Sequence, residues 1–196
     1  SGAINMVRKK PTAQFQASVE GEVGSRDERR GLADIAGPLN EAGSLRGRMV
    51  ALYEEGDSIV DNYSRDKKVI YGVLEADLAS GTKLTAGVTH QRNRSKGSLS
   101  YLGFPLFYDN GVMTKLPRSF SPAAASNRFG SNSTDLFATL EHALANDWKL
   151  KISANRVQSS QEERSAFINV SGGFPNQLRG DGLRMSADYR DYQLRV

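Results

Sequence analysis

Apolar and polar residues alternate with a period of two along most of this chain, and helical periodicity is weak almost everywhere. Across 15–23 the odd positions hold Phe15, Ala17, Val19, Gly21 and Val23, while the even ones hold glutamine, serine and glutamate. The next clear run sets Leu45, Gly47, Met49, Ala51 and Tyr53 against Arg46, Arg48, Val50, Leu52 and Glu54. Runs at 70–78, 84–88, 136–140, 150–154 and 183–189 repeat the pattern, and a less regular stretch at 30–39 makes eight predicted strands. After Tyr189 the apolar parity changes to Tyr192, Leu194 and Val196, which predicts a bulge or a strand end.

Several of these strands run to about 10–13 residues, beyond the usual 5–6. Strands of that length with one apolar face suit a membrane barrel, which is crossed by about 9–11 tilted residues. The turns point the same way. Leu39 and Leu45, Leu78 and Leu84, and Leu144 and Leu150 are each six residues apart, so three hairpins are expected to share one turn length and one register. The opposite connections are irregular: short near 26–29, medium at 56–66, long at 95–131 and 161–181. Short turns at one end and long variable loops at the other characterise outer-membrane barrels. A soluble antiparallel sandwich also alternates, but its core is richer in large aliphatics than these Ala- and Gly-diluted faces. The expected fold is all-β: antiparallel up-and-down strands of a transmembrane β-barrel.

Charge refines the assignment of faces. A symmetric pairing through the 56–66 loop places Arg46 opposite Asp77 and Arg48 opposite Glu75, and opposite charges across an antiparallel pair are favourable. These four are the expected lumen- or plug-facing residues. In the third hairpin Glu141 is expected diagonal to Lys149 and Lys151. Phe15 and Trp148 fall at strand starts on the short-turn side, and Tyr53 and Tyr189 near the long loops, as interfacial aromatic girdles require. The net charge of +4 comes from 26 basic and 22 acidic residues mixed along the chain, so no nucleic-acid partner is expected.

Catalytic patterns are absent from the sequence. His90 and His142 lie on separate strands without a ligand motif, and no cysteine is present, so no metal site is expected. There is no nucleophile elbow and no phosphate-binding glycine loop. No enzyme activity and no cofactor are expected.

Three stretches carry a family resemblance. "GAINMVRKKP" at 2–11 resembles the end of the plug domain of TonB-dependent outer-membrane receptors, where a Gly-Ala-Ile-Asn strand, basic residues and a proline lead into the barrel. "ADIAGPLNEAGSLRGRMVALYEEGDSIVDN" at 33–62 resembles the second and third barrel strands, with Gly-Pro-Leu, an acidic turn and Leu-Arg-x-Arg. "LGFPLFYDNG" with "LPRSFSPAAASNRFGS", within 102–131, resembles an outer loop of the ferric-siderophore branch.

The resemblance implies that 1–11 is the end of the plug and its linker, and that 12–196 is the N-terminal part of the barrel, about eight of 22 strands. It implies a bacterial outer-membrane receptor that binds and takes up iron–siderophore complexes with TonB-delivered energy. The partners are then a ferric siderophore, outer-membrane lipid, and the TonB complex through an N-terminal region of the parent that this sequence lacks. Ser1 and Val196 both fall in strand-like segments, so a piece of a longer protein is expected, one that does not transport by itself. Ligand contacts are expected from the long loop: Tyr101, Phe104, Phe107 and Tyr108 by stacking, Arg118 and Arg128 by charge. A soluble all-β carbohydrate-binding module and a passive porin-like barrel are the alternatives.

Overall fold

The computed structural model describes residues 7–98, 107, 111–113, 115–121, 123–168 and 180–195, with 165–168 and 180–195 as strand backbone. The eight strands are β1 (Gln16–Val23), β2 (Arg29–Pro38), β3 (Leu45–Asp57), β4 (Ser64–Ala79), β5 (Thr82–Lys96), β6 (Arg128–Ala143), β7 (Lys149–Ile168) and β8 (Gly180–Arg195). They lie side by side in chain order, each antiparallel to the next, in one up-and-down sheet. β7 is 20 residues long and β4, β6 and β8 are 16 each, longer than alternation alone marks out. Above the apolar band both faces turn polar, so the ladder continues where the hydrophobic pattern has nothing left to show. Pairing of β8 runs unbroken from Gly180 to Arg195, so the bulge expected after Tyr189 is not there. The register shift in the sheet lies between Asp77 and Ala79 instead.

Burial is inverted relative to a soluble sheet. Met49, Ile70 and Leu74 are about half exposed, at 54%, 53% and 51%, whereas Asp34 and Glu75 on the other face retain only 8% and 5%. β2 shows it residue by residue, with Ile35 exposed between buried Asp34 and Ala36. The register joins the aliphatic positions into one surface: Ile35 faces Met49, Met49 faces Gly72, Gly72 faces Val88 and Val88 faces Leu136. An apolar sheet face of this extent is stable only against lipid or a partner. Phe15 and Trp148 stand exposed at its short-turn edge and Tyr53 at its long-loop edge; the Tyr189 side chain lies outside the described residues.

The apolar band does not follow the rows of paired residues. Val23, at its upper edge on β1, is in register through Arg29, Glu55, Asp66, Arg94 and Gly130 with Glu162 on β7. On β7 the band's upper edge is Ala154, eight residues further along. At about 3.4 Å per residue that is a drift of ~27 Å over six strand spacings of ~4.8 Å, or ~29 Å, a tilt of roughly 43°. The lower edge, from Phe15 to Trp148, drifts by six residues and gives roughly 35°. Strands of outer-membrane barrels tilt by about 35–45°.

The three short turns are not alike. The Leu39 N–H donates to the Leu45 carbonyl at 2.8 Å, across a turn with Gly43 at φ +66°. β4 and β5 close through Ser80–Gly81, with the bulge absorbing Leu78, so Leu84 faces Ala76. The Leu144 N–H donates to the Trp148 carbonyl at 2.8 Å over Asn146 and Asp147, both with positive φ, so Leu150 faces His142 and Glu141 faces Lys151. The expected common register therefore holds only for the first hairpin. Parity survives in all three because each offset is even or is corrected by the bulge.

The outward face predicts a depth-dependent penalty. In the full-length protein folded into lipid vesicles, Leu74→Arg should lower the stability of the folded state by about 2–4 kcal/mol. Thr85→Arg, on the polar face beside Glu75, should change it by less than about 1 kcal/mol. Equal effects from the two substitutions would contradict the assignment of faces.

Candidate functional site

The polar face of the sheet is crossed by the strap at 7–11 that precedes β1. β2, β3 and β4 present Asp34, Arg48 and Tyr71 to it, and β6 presents Asp135 and Phe137. Arg48 grips Asp34 with two parallel bonds, Nε to Oδ1 at 2.8 Å and Nη2 to Oδ2 at 2.6 Å. Its Nη1 donates to the Lys10 carbonyl at 3.0 Å, and Lys9 Nζ donates to Asp34 Oδ2 at 2.8 Å. The Tyr71 hydroxyl donates to the Lys9 carbonyl at 2.6 Å. Further along, Arg8 Nη2 meets Asp135 Oδ2 at 2.7 Å and the Arg8 guanidinium lies 4.3 Å from the centre of the Phe137 ring. Phe137 stacks on Tyr71 with centroids 6.4 Å apart. Charged side chains and main-chain carbonyls thus fix the strap at three successive residues.

Gly87 makes room for this arrangement. It faces Phe137 in the ladder, and a Cβ there would come within 2.5 Å of the ring and 2.6 Å of the Gly72 carbonyl. A glycine inside a strand often marks such a close approach.

A second cluster sits toward the short turns. Arg46 Nη2 bonds Glu75 at 2.9 Å and Asp77 at 2.8 Å, its Nη1 bonds the Gly43 carbonyl, and Lys83 Nζ reaches Glu75 at 3.2 Å. The expected cross-strand partners are shifted by two residues: Arg46 faces Glu75 and Arg48 faces Val73. The cause is the β3–β4 loop. Ser58 pairs with Tyr63 around a turn with Asn62 at φ +65°, which moves the hairpin's centre by one residue. A two-residue slip keeps every side chain on its face. Arg46 therefore still reaches Asp77 diagonally, whereas Arg48 takes its carboxylate from β2. The sequence reading missed Asp34, Lys9, Arg8 and Asp135 as partners; the one signal was Gly87 interrupting a clean strand opposite an aromatic on the polar side.

The loop candidates are placed unevenly. Tyr101, Phe104 and Tyr108 lie outside the described residues. Phe107 bridges Met113 and is 47% exposed, and Arg118 is exposed in a turn. Arg128 is not in the loop: it opens β6, with the parity of Leu136, and its Nη1 donates to the Ala125 and Asn127 carbonyls at 2.6 and 2.7 Å. The loop's returning limb is docked on its neighbours. The Asp61 N–H donates to the Ser119 carbonyl at 2.6 Å, and buried Asn127 donates to the Ser98 carbonyl at 3.1 Å.

No family model matches the chain. The ferripyoverdine receptor of Pseudomonas aeruginosa is 43% identical over 149 residues, 76% of this chain and 18% of that protein. The ferric-pyoverdine BN7/BN8 receptor of Pseudomonas putida is 34% identical over 182 residues, 91% of this chain and 22% of that protein. A crystal structure of the ferripyoverdine receptor of the outer membrane of Pseudomonas aeruginosa, bound to ferripyoverdine, superposes with a TM-score of 0.90 at 35% identity, covering 95% of this chain and 25% of that one. The chain belongs to the TonB-dependent outer-membrane receptors.

A TonB-dependent receptor places its barrel in the outer membrane, which accounts for the inverted burial. The chain spans 18% and 22% of the length of these two curated relatives, and they are receptors rather than enzymes. In the receptor, Asp34→Asn should leave Arg48 and Lys9 facing each other without a carboxylate and lower the stability of the folded state by about 3 kcal/mol. Asp34→Asn with Arg48→Met should recover at least half of that loss in the same titration. Gly87→Ala should displace Phe137 and abolish the Arg8–Phe137 coupling of about 0.5–1 kcal/mol in a double-mutant cycle.

Proposed function

We propose that this segment forms the plug-to-barrel junction (1–11) and the N-terminal strands (12–196) of a barrel of about 22 strands. The parent receptor takes up ferric siderophores of the pyoverdine class with energy delivered through the TonB complex. The observation that carries this reading is the strap bound along the polar face. A chain passing from a lumen-filling domain into β1 must cross that face, and Arg8, Lys9 and the Lys10 carbonyl bind it there. The similarity to ferripyoverdine receptors over 76% and 91% of the chain supports the class of ligand. A passive porin-like barrel gives no reason for a strap on its lumen wall, and a soluble carbohydrate module does not expose Met49, Ile70 and Leu74.

Ligand contacts are assigned to Tyr101, Phe104, Phe107, Tyr108 and Arg118, with the aromatics stacking on the chelate and Arg118 offsetting its negative charge. Arg128 holds the loop through its carbonyl contacts on the outward side. Arg46, Arg48, Glu75 and Asp77 line the lumen, with Arg48 tied to the strap. No step is chemical; the iron chelate is cargo.

In the full receptor, Arg118→Ala should weaken ferripyoverdine binding about five- to tenfold by fluorescence titration, and Arg128→Ala should not weaken it through charge. Replacing Tyr101, Phe104, Phe107 and Tyr108 together by Ala should abolish uptake of radiolabelled iron while leaving heat-modified gel mobility intact. Uptake at the parental rate in that variant would overturn the assignment.

A further inference from the structure

The tip of the β3–β4 hairpin is a closed turn. The Tyr63 N–H donates to the Val60 carbonyl at 3.2 Å around Asp61 and Asn62, and the Ser58 N–H donates to the Tyr63 carbonyl at 3.0 Å. Of the two central residues Asn62 alone has a positive φ, +65°, which makes this a type II turn with Asp61 at its second position. The bond that closes such a turn leaves the N–H of that second residue unused. Here it donates to the Ser119 carbonyl at 2.6 Å, and the Ser119 hydroxyl donates back to Asp61 Oδ2 at 3.1 Å.

Ser119 belongs to a second turn, 117–120, in which the Phe120 N–H donates to the Pro117 carbonyl at 3.0 Å and Arg118 stands exposed. The outgoing limb of the same long loop meets the 60–63 turn as well. Gly97, at φ +62°, lies so close that a Cβ there would overlap the Asn62 carbonyl. The two limbs are tied at their base, where the Gly97 N–H donates to the Asn127 carbonyl at 2.9 Å and the Asn127 amide to the Ser98 carbonyl at 3.1 Å. The loop therefore rests on the 60–63 turn with both limbs. The Arg118 guanidinium is engaged by none of the described residues, so the backbone of its own turn sets its place. A loop of this length orders a side chain poorly by itself, and docking it beforehand removes the ordering cost from binding.

We propose that Asp61 is a positioning residue of the siderophore site. Its N–H and carboxylate hold the 117–120 turn, so that Arg118 is in place before the chelate arrives. The inference rests on the assignment of Arg118 as a ligand contact, and it adds a residue outside the ligand loop on which that contact depends. Asp61 does not bind the cargo itself. Its negative charge opposes an anionic chelate, so the affinity it supplies comes through Ser119.

The test uses the full receptor. Asp61→Pro removes both the N–H and the carboxylate, yet proline suits the second position of a type II turn. It should weaken ferripyoverdine binding about fivefold in a fluorescence titration, and speed amide exchange across 115–121 in the ligand-free receptor. With Arg118→Ala already present, Asp61→Pro should weaken binding by less than about 1.5-fold more. Asp61→Asn keeps the N–H and an acceptor for the Ser119 hydroxyl; it should bind at least as tightly as the parent and exchange at the parental rate. An equal loss in both backgrounds, a loss in Asp61→Asn, or parental exchange in Asp61→Pro would overturn the proposal. So would parental affinity in Asp61→Pro where Arg118→Ala binds weakly, a result that leaves Arg118 as a contact. Parental affinity in both single variants would remove Arg118 from the ligand site, and this inference with it. Should Asp61→Pro lose heat-modified gel mobility, Asp61→Ala with Ser119→Ala removes the hydroxyl bond alone. That pair should weaken binding about two- to threefold, again only with Arg118 present, and parental affinity there would overturn the proposal.

Discussion

Every feature of this segment depends on one constraint. A strand that crosses hydrocarbon finds no water for its backbone, so each N–H and C=O must pair with a neighbouring strand. Pairing then forces side chains to alternate between two environments that could hardly differ more. Within the band, outward positions take Val, Leu, Ile, Met, Ala and Gly; inward positions take the charges and most of the hydroxyls, with a few apolar residues such as Leu52, Val73 and Phe137 among them. The same constraint explains how errors of register are tolerated. A slip of one residue would place Arg46 and Arg48 in lipid and Met49 in the lumen. A slip of two, as at the β3–β4 loop, only changes which partner each charge meets. Selection on such a chain acts on parity first and on pairing second.

The inward face carries a second constraint, because its charges are part-buried and must be matched. Arg46, Lys83, Glu75 and Asp77 balance among themselves. Arg48 and Asp34 also balance, yet the carboxylate accepts a third bond from Lys9 while the guanidinium donates a third to the Lys10 carbonyl. The barrel wall and the strap thus complete each other's hydrogen bonding. Breaking that contact exposes a bidentate ion pair on one side and two main-chain carbonyls on the other. The strap and the wall are therefore held together by side chains of both.

The fold was legible because period-two alternation is a direct record of the two environments, and it ran cleanly through β1, β3, β4 and β5. What alternation could not show was anything set by turns or by polar surroundings. Turn geometry at Asn62, Ser80–Gly81 and Asn146–Asp147 decides registers, and positive φ at Asn or Asp is weakly marked in sequence. The upper part of β7, from 161 onward, read as loop because polar residues on both faces remove the contrast between them. Arg128 was misplaced for that reason, as a loop residue when it begins β6. The strap's partners were illegible because contacts such as Arg8 with Asp135 join residues 127 apart with no local pattern. Membership of the receptor family came from short motifs at 2–11 and 33–62, which periodicity alone would not have separated from any other membrane barrel.

The tilt links the segment to the size of the barrel it builds. The apolar band shifts by six to eight residues across the six steps from β1 to β7, or roughly 1.0–1.3 residues per strand. Repeated around about 22 strands, that rate gives a total stagger of roughly 22–29 residues, and a barrel closes only when strand number, stagger and tilt agree. A stagger near the strand number, at this tilt, makes a wide cylinder whose lumen eight strands' side chains cannot fill. A lumen that wide holds water, which is why the inward face carries charges such as Arg48, Glu75 and Asp135. The charges on the polar face and the drift of the apolar band are therefore two readings of the same geometry, one taken from inside the wall and one from outside.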